Sequence, residues 1–160
     1  MIKEAVHLIK KLGLEKHPEG GYFKQTYKSD VMIDVAGYGG PRHAATAIYY
    51  MLASGQFSAF HRMKSDEIWH YYAGGSITIH VIDEGGKLAR IKLGKGKGET
   101  PQAVIRAGTW FAASLAKGSY CLVGCTVSPG FDYRDWELAK RDELIKSYPQ
   151  HRAIIEKHAR

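Results

Sequence analysis

Cysteine is scarce: the 160-residue chain has two, Cys121 and Cys125. They stand four apart in the strand-like run SYCLVGCTV, wider than an ordinary disulfide spans. Two thiols also fall short of the four ligands a structural zinc takes. A disulfide framework and a zinc module are therefore excluded, and both thiols are expected to pack as small apolar side chains, sharing a face with Val123 and Val127. No apolar run reaches the ~20 residues that a membrane helix needs. The opening MIKEAVHLIKKLGL scatters charges through its apolar positions, unlike a secretory leader, so a cytoplasmic protein without a membrane partner is expected. Repeats, low-complexity tracts and linker-like stretches are also missing. The length suits a single domain, residues 1–160, with a sizeable core.

Acidic residues are in deficit, 16 against 23 Lys and Arg, for a formal net charge of +7. The excess gathers on one predicted hairpin at Lys87, Arg90, Lys92, Lys95 and Lys97. Such a patch attracts anions. No nucleic-acid-binding motif accompanies it, and lysines on a sheet edge commonly block edge-to-edge pairing, so a nucleic-acid partner is not expected.

Short β-forming segments are plentiful. After an amphipathic helix over 1–12, with Ile2, Val6, Ile9 and Leu12 on one stripe, strands are expected at 22–28, 44–52, 57–62, 67–72, 77–83, 87–93, 102–106, 110–115 and 119–127. The Gly-rich stretch 30–43 reads as a long loop or an edge excursion, a candidate lid over a barrel mouth. Past Pro129 come a short strand and helical turns broken near Pro149. Regularly spaced short strands mean an all-β sandwich or barrel with short terminal helices.

The segment GQFSAFHRMKSDEIWHYYAG, 55–74, carries the chemistry. Strand alternation puts His61 and Met63 on one face and Phe60 and Arg62 on the other. Lys64-Ser65-Asp66 reads as a turn, and pairing across it sets Glu67 opposite His61 and Met63. An imidazole facing a carboxylate suits metal binding, proton transfer or an internal hydrogen bond. If His61 faces inward, so do Met63, Glu67, Trp69 and Tyr71. His70 then turns to the opposite face. His80 is left open between surface and lumen, and His7, His17, His43, His151 and His158 are expected in solvent.

This spacing resembles the first motif of the cupin superfamily. HPEGGYFKQTYKS (17–29), AGTWFAA (107–113) and VSPGFDYRDWELAKRDELIKSYP (127–149) together resemble a small cupin family without an established activity. The resemblance implies a double-stranded β-helix, the cupin jelly roll. Cupin metal sites typically use three histidines and a glutamate. Here Met63 and Phe111 stand at two of those ligand positions, so no cofactor is expected. A divalent ion would have only His61 and Glu67, with His70 as a third candidate, and thioether sulfur suits hard divalent ions poorly.

The opening strand Tyr22-Phe23-Lys24-Gln25-Thr26-Tyr27 is also similar to that of metal-free cupins that epimerise nucleotide-linked deoxysugars. Ser58 and Gln25 replace an arginine and an acidic residue of those enzymes. The expected ligand site comprises His61, Met63, Glu67, Trp69, Tyr71, Phe111 and Tyr120. In it His61 serves as base, oriented by Glu67, with Tyr71 or Tyr120 as proton donor. Three functions stay open: an epimerase or isomerase on a nucleotide sugar or other anionic metabolite, a non-catalytic small-molecule-binding module, and a metal-dependent oxygenase. A homodimer is expected, with the Cys121/Val123/Cys125/Val127 face serving as core or as contact.

Overall fold

The computed structural model describes residues 2–160. Helix α1 (Lys3–Leu12) ends at Gly13 in the left-handed conformation. Eleven strands follow among the described residues: β1 (Glu15–Lys16), β2 (Tyr22–Lys28), β3 (Met32–Ile33), β4 (Arg42–His43), β5 (Thr46–Ala53), β6 (Phe57–Met63), β7 (Asp66–Ile82), β8 (Leu88–Leu93), β9 (Gln102–Ile105), β10 (Trp110–Ser128) and β11 (Trp136–Leu138). Helices α2 (Arg141–Ser147) and α3 (Arg152–His158) close the chain.

All pairings between these strands are antiparallel. The large sheet runs β1-β2-β5-β10-β6-β11, with β7 joining β10 to β8 and β9. This curled sheet is a jelly roll, as expected. Four strands predicted as separate pieces merge into two long ones, because β7 and β10 bend together instead of breaking. At that corner the backbones approach so closely that a Cβ on Gly75 would lie 1.9 Å from the Lys117 carbonyl oxygen. Only glycine permits the contact, and the register shifts on both sides of Lys117 mark the same bend.

One expectation fails here. The segments 57–62 and 67–72 do not pair across a hairpin: β6 pairs β10 and β11, while β7 pairs β10, β8 and β9. Of the two readings of 30–43, the edge excursion is the nearer. Its ends form the β3–β4 ribbon, and Arg42 within it makes a two-pronged ion pair with Asp135.

Three apolar clusters follow from strand parity. The inner one holds Tyr50, Leu52, Trp69, Ile77, Ile79, Phe111, Val123 and both cysteines. The Cys121/Val123/Cys125/Val127 face is thus core rather than contact, and both thiols are free. The second cluster sets Phe60, on the outer face of β6, against Leu144, Ile145 and Ile155 of α2 and α3. The third packs α1 on the outside of the barrel. There the buried residue is Ala5, supported by Leu8, Ile9 and Leu12, while Ile2 and Val6 are exposed. The predicted stripe was rotated by part of a turn. The lysine-bearing strand β8 pairs β7 alone, so it is a sheet edge, where charged side chains deter further pairing. No helix among the described residues is long and apolar enough to cross a membrane.

Candidate functional site

His61 sits at the centre of β6, paired with Phe111 on one side and Leu138 on the other. Its side chain is almost fully buried. Nδ1 lies 2.7 Å from the Ala59 carbonyl oxygen and 3.1 Å from Glu19 Oε2. A carbonyl can only accept, so Nδ1 carries the proton and Nε2 of the neutral ring keeps its lone pair. Among the described residues only Nδ1 of this ring enters a hydrogen bond. Burial lowers the imidazole pKa, against the opposing charge of Glu67, and so favours this neutral form.

Glu19 comes from the opposite end of the sequence, and the turn His17–Gly21 delivers it. Gly20 N–H donates to the His17 carbonyl and His17 N–H to the Gly21 carbonyl. Gly20 has φ +117°, and a Cβ there would lie 2.1 Å from the Phe57 carbonyl oxygen, so the turn needs glycine. The Ala59 N–H then donates to the Glu19 carbonyl, two residues before His61. From the far side Arg160 donates to the Pro18 carbonyl. Burial raises the Glu19 pKa, partly offset by His17, Ser58, Trp136 and Arg160. The Ser58 hydroxyl and the Trp136 indole N–H favour its charged form without closing well-formed hydrogen bonds. His17 completes the turn. Its Nδ1 accepts from the Glu19 backbone N–H, so its proton is on Nε2, and burial lowers its pKa too.

Glu67 is the second residue of β7 and is 7% exposed. Its Oε2 is buried without a hydrogen-bond partner. Burial pushes this carboxyl up to about 7, against the pull of His61. Neutral Cys125 lies beside it, its thiol raised well above the usual range by burial.

These groups line a cavity of about 220 Å³ that also takes in Phe23, Gln25, Thr46, Ile48, Met63 and Val127. This is below the ~300–1,000 Å³ of sites that take drug-sized ligands and suits a ring-sized molecule. One wall is aromatic: Phe131, Tyr133 and Trp136 also line the cavity. Phe131 meets Tyr133 edge-on at 5.0 Å, and Tyr133 meets Trp136 at 5.9 Å. The Arg42–Asp135 pair anchors this wall through the residue between Arg134 and Trp136.

Of the seven residues expected at the site, the structure brings His61, Met63 and Glu67 to the cavity. Phe111 and Trp69 lie behind it, Phe111 with its ring 4.1 Å from the His61 ring and 6.3 Å from that of Trp69. Tyr71 is a correction. It packs on the inner core but not on the cavity, and its hydroxyl donates to the Gly74 carbonyl near the glycine corner. Tyr120 is another. It shares the outer face of β10 with Leu122, beneath α1, because Cys121, Val123 and Cys125 occupy the inner one. Neither tyrosine can donate a proton to a ligand held at His61. His17, expected in solvent, is part of the cavity wall. His158, likewise expected there, is buried against His80, their rings 5.0 Å apart. His43 and His151 bond the Ser29 and Gly86 carbonyls. His70 faces outward, beside Gln102 and Thr126.

The missed residues are Glu19, His17, Phe131, Tyr133 and Trp136. All lie in the segments 17–29 and 127–149, whose dense glycines and aromatics were the available signal.

A cupin metal does not fit these residues. Met63 and Phe111 bring sulfur and carbon to two ligand positions, and His70 is on the wrong face. Among the described residues no three His, Cys, Asp or Glu side chains converge on a point where an ion could sit.

Solved structures and sequence relatives agree with this architecture. A hypothetical protein from Leishmania major superposes with a TM-score of 0.91 at 38% identity, covering 97% of this chain and 98% of its own. Protein SO0799 from Shewanella oneidensis gives 0.90 at 39% identity, covering 98% and 97%. The uncharacterised Saccharomyces cerevisiae protein YML079W is 30% identical over 155 residues, which is 87% of this chain and 77% of the yeast protein. The family model described as cupin superfamily (DUF985) matches residues 6–139. With its curled antiparallel sheet and a histidine and glutamate on the inner wall, the chain belongs to the cupin superfamily, in the DUF985 family.

Proposed function

We propose that the barrel cavity binds a ring-sized small molecule and that His61 removes a proton from it, in an isomerase- or epimerase-type reaction that needs no metal. The observation that carries this reading is the fixed tautomer of His61. The Ala59 carbonyl and Glu19 hold Nδ1–H, so the Nε2 lone pair is the basic site. A neutral imidazole held in one tautomer by a buried carboxylate is the arrangement a general base needs. Glu19 does the orienting that strand alternation assigned to Glu67. Glu67 stands free to hold the polar end of the ligand. A nucleotide sugar would fit only with its sugar ring inside, because the space is small and no Lys or Arg lines it to receive phosphates.

The test is solvent isotope exchange. The protein is incubated in deuterated water with a panel of sugars, nucleotide sugars and small carbonyl compounds, and hydrogen exchange is followed by NMR. Exchange that His61→Ala abolishes, and that Glu19→Gln weakens at least ten-fold, supports the proposal. Saturable binding without exchange across the panel overturns the proton transfer and leaves a non-catalytic binding module.

A further inference from the structure

The whole chain carries an excess of seven positive charges, yet among the described residues no lysine or arginine lines the cavity. Its ionisable groups are two carboxylates, two imidazoles, a buried thiol and the Tyr133 phenol. An anion placed there would face Glu19 and Glu67 with no permanent counter-charge. The imidazoles do not supply one readily: burial disfavours the protonated ring of each, and His17 Nδ1 is already occupied as an acceptor from the Glu19 backbone N–H.

The two carboxylates are not equivalent. Glu19 has His61 at 3.1 Å and His17 at 3.7 Å, with Arg160 nearby. Glu67 has no permanent cation among its neighbours; the Trp69 indole N–H and the Cys125 thiol favour its charged form without closing well-formed hydrogen bonds, and its enclosed Oε2 has no hydrogen-bond partner. A buried carboxyl oxygen without a partner costs free energy, and a ligand that donates to it recovers that cost. The aromatic lining adds a second preference of the same sign. Phe23, Phe131, Tyr133 and Trp136 line the cavity, and ring faces attract cations. A metal ion does not answer to these features, since no three ligating side chains converge.

We propose that the occupant is an organic ammonium of about one ring in size, its charged nitrogen donating to Glu67 and its carbon frame lying against the aromatic wall. This rests on the reading of the cavity as a ligand site, and not on proton transfer by His61.

The experiment is equilibrium binding at pH 7.5, followed by calorimetry and by NMR shifts, with three isosteric probes: benzylamine, benzyl alcohol and benzoate. The amine is expected to bind roughly ten-fold tighter than the alcohol, the order expected for a desolvated cation over aromatic rings beside a carboxylate, and benzoate weakest of all. Glu67→Gln is expected to erase the ten-fold preference while the alcohol still binds. Tyr133→Leu, at a half-exposed position that tolerates change, is expected to reduce the preference several-fold, and it serves if Glu67→Gln does not fold. Benzoate binding as well as the amine, a preference that survives Glu67→Gln, or no saturable binding of benzylamine each overturns the proposal. No turnover is measured, so a charge preference without isotope exchange upholds this inference while proton transfer fails. Exchange on neutral or anionic compounds without the preference does the reverse.

Discussion

Replacing Glu67 by glutamine should change how stability depends on pH, in a direction that the structure dictates. The folded carboxyl holds its proton up to about 7, because burial opposes the charged form, whereas in the unfolded chain it releases near 4.5. Between those values the native state binds more protons than the unfolded state, so stability falls as pH rises. The contribution is fully present below 4.5 and is lost as pH passes through about 7. A shift of this size corresponds to roughly 3 kcal/mol when complete, of which about 2–3 kcal/mol disappears between pH 5 and pH 8. Glutamine does not titrate and so lacks this term. Urea melts of both proteins at several pH values give the difference in unfolding free energy, in which titrations common to both cancel. The difference should move in favour of Glu67→Gln by about 2–3 kcal/mol from pH 5 to pH 8, or roughly 5–10 °C in melting temperature. A difference that stays flat with pH, or that moves the other way, would refute the placement of Glu67 in a dry, unpaired position.

Three further outcomes follow from other parts of the structure. Met63→His combined with Phe111→His should convert a chain without a metal-ligand cluster into one that retains a stoichiometric divalent transition metal by elemental analysis, since Phe111 packs on His61; no uptake would show that those two positions are not what bars the ion. Gly20→Ala should cost at least about 2 kcal/mol in urea melts, because it combines a left-handed φ with a Cβ driven into the Phe57 carbonyl; an unchanged melt would mean the turn that carries Glu19 can be built another way. His80, buried between β10 and α3 and pushed down to about 4 by burial and by His158, Arg90 and Lys157, stabilises the fold above pH 6.5 and loses that effect as pH falls through about 4. His80→Gln should therefore flatten the acid limb of the stability profile, and an unchanged acid limb would count against the buried pair.

The fold and part of the site were legible in the sequence for a simple reason. Strand parity is a local property, and it correctly put His61 and Met63 on one face and Phe60 on the other. The same rule applied to β10 would have placed Tyr120 outside, since the face shared by Cys121 and Cys125 is the inner one. Tyr71 keeps the inner face, as parity predicts, but lies further along β7 towards the Gly74–Gly75 corner, away from the cavity. His61 and Glu67 were expected to meet across a hairpin, yet their strands never pair, and the two side chains share a wall only because the sheet curls. Glu19 and Trp136 could not be placed by periodicity at all. They are separated by most of the chain and converge through a glycine turn on one side and an ion pair between Arg42 and Asp135 on the other.

The protonation pattern of His61 tests the central claim most directly. Nitrogen-15 NMR of the imidazole, with the signal assigned through loss in His61→Gln, reports which ring nitrogen carries the proton. At neutral pH the ring should be uncharged, with hydrogen on Nδ1 and a bare Nε2, and the Nε2 signal should shift when a ligand enters the cavity. Hydrogen on Nε2, or a doubly protonated ring at pH 7, would contradict the assignment of His61 as the base of this cavity.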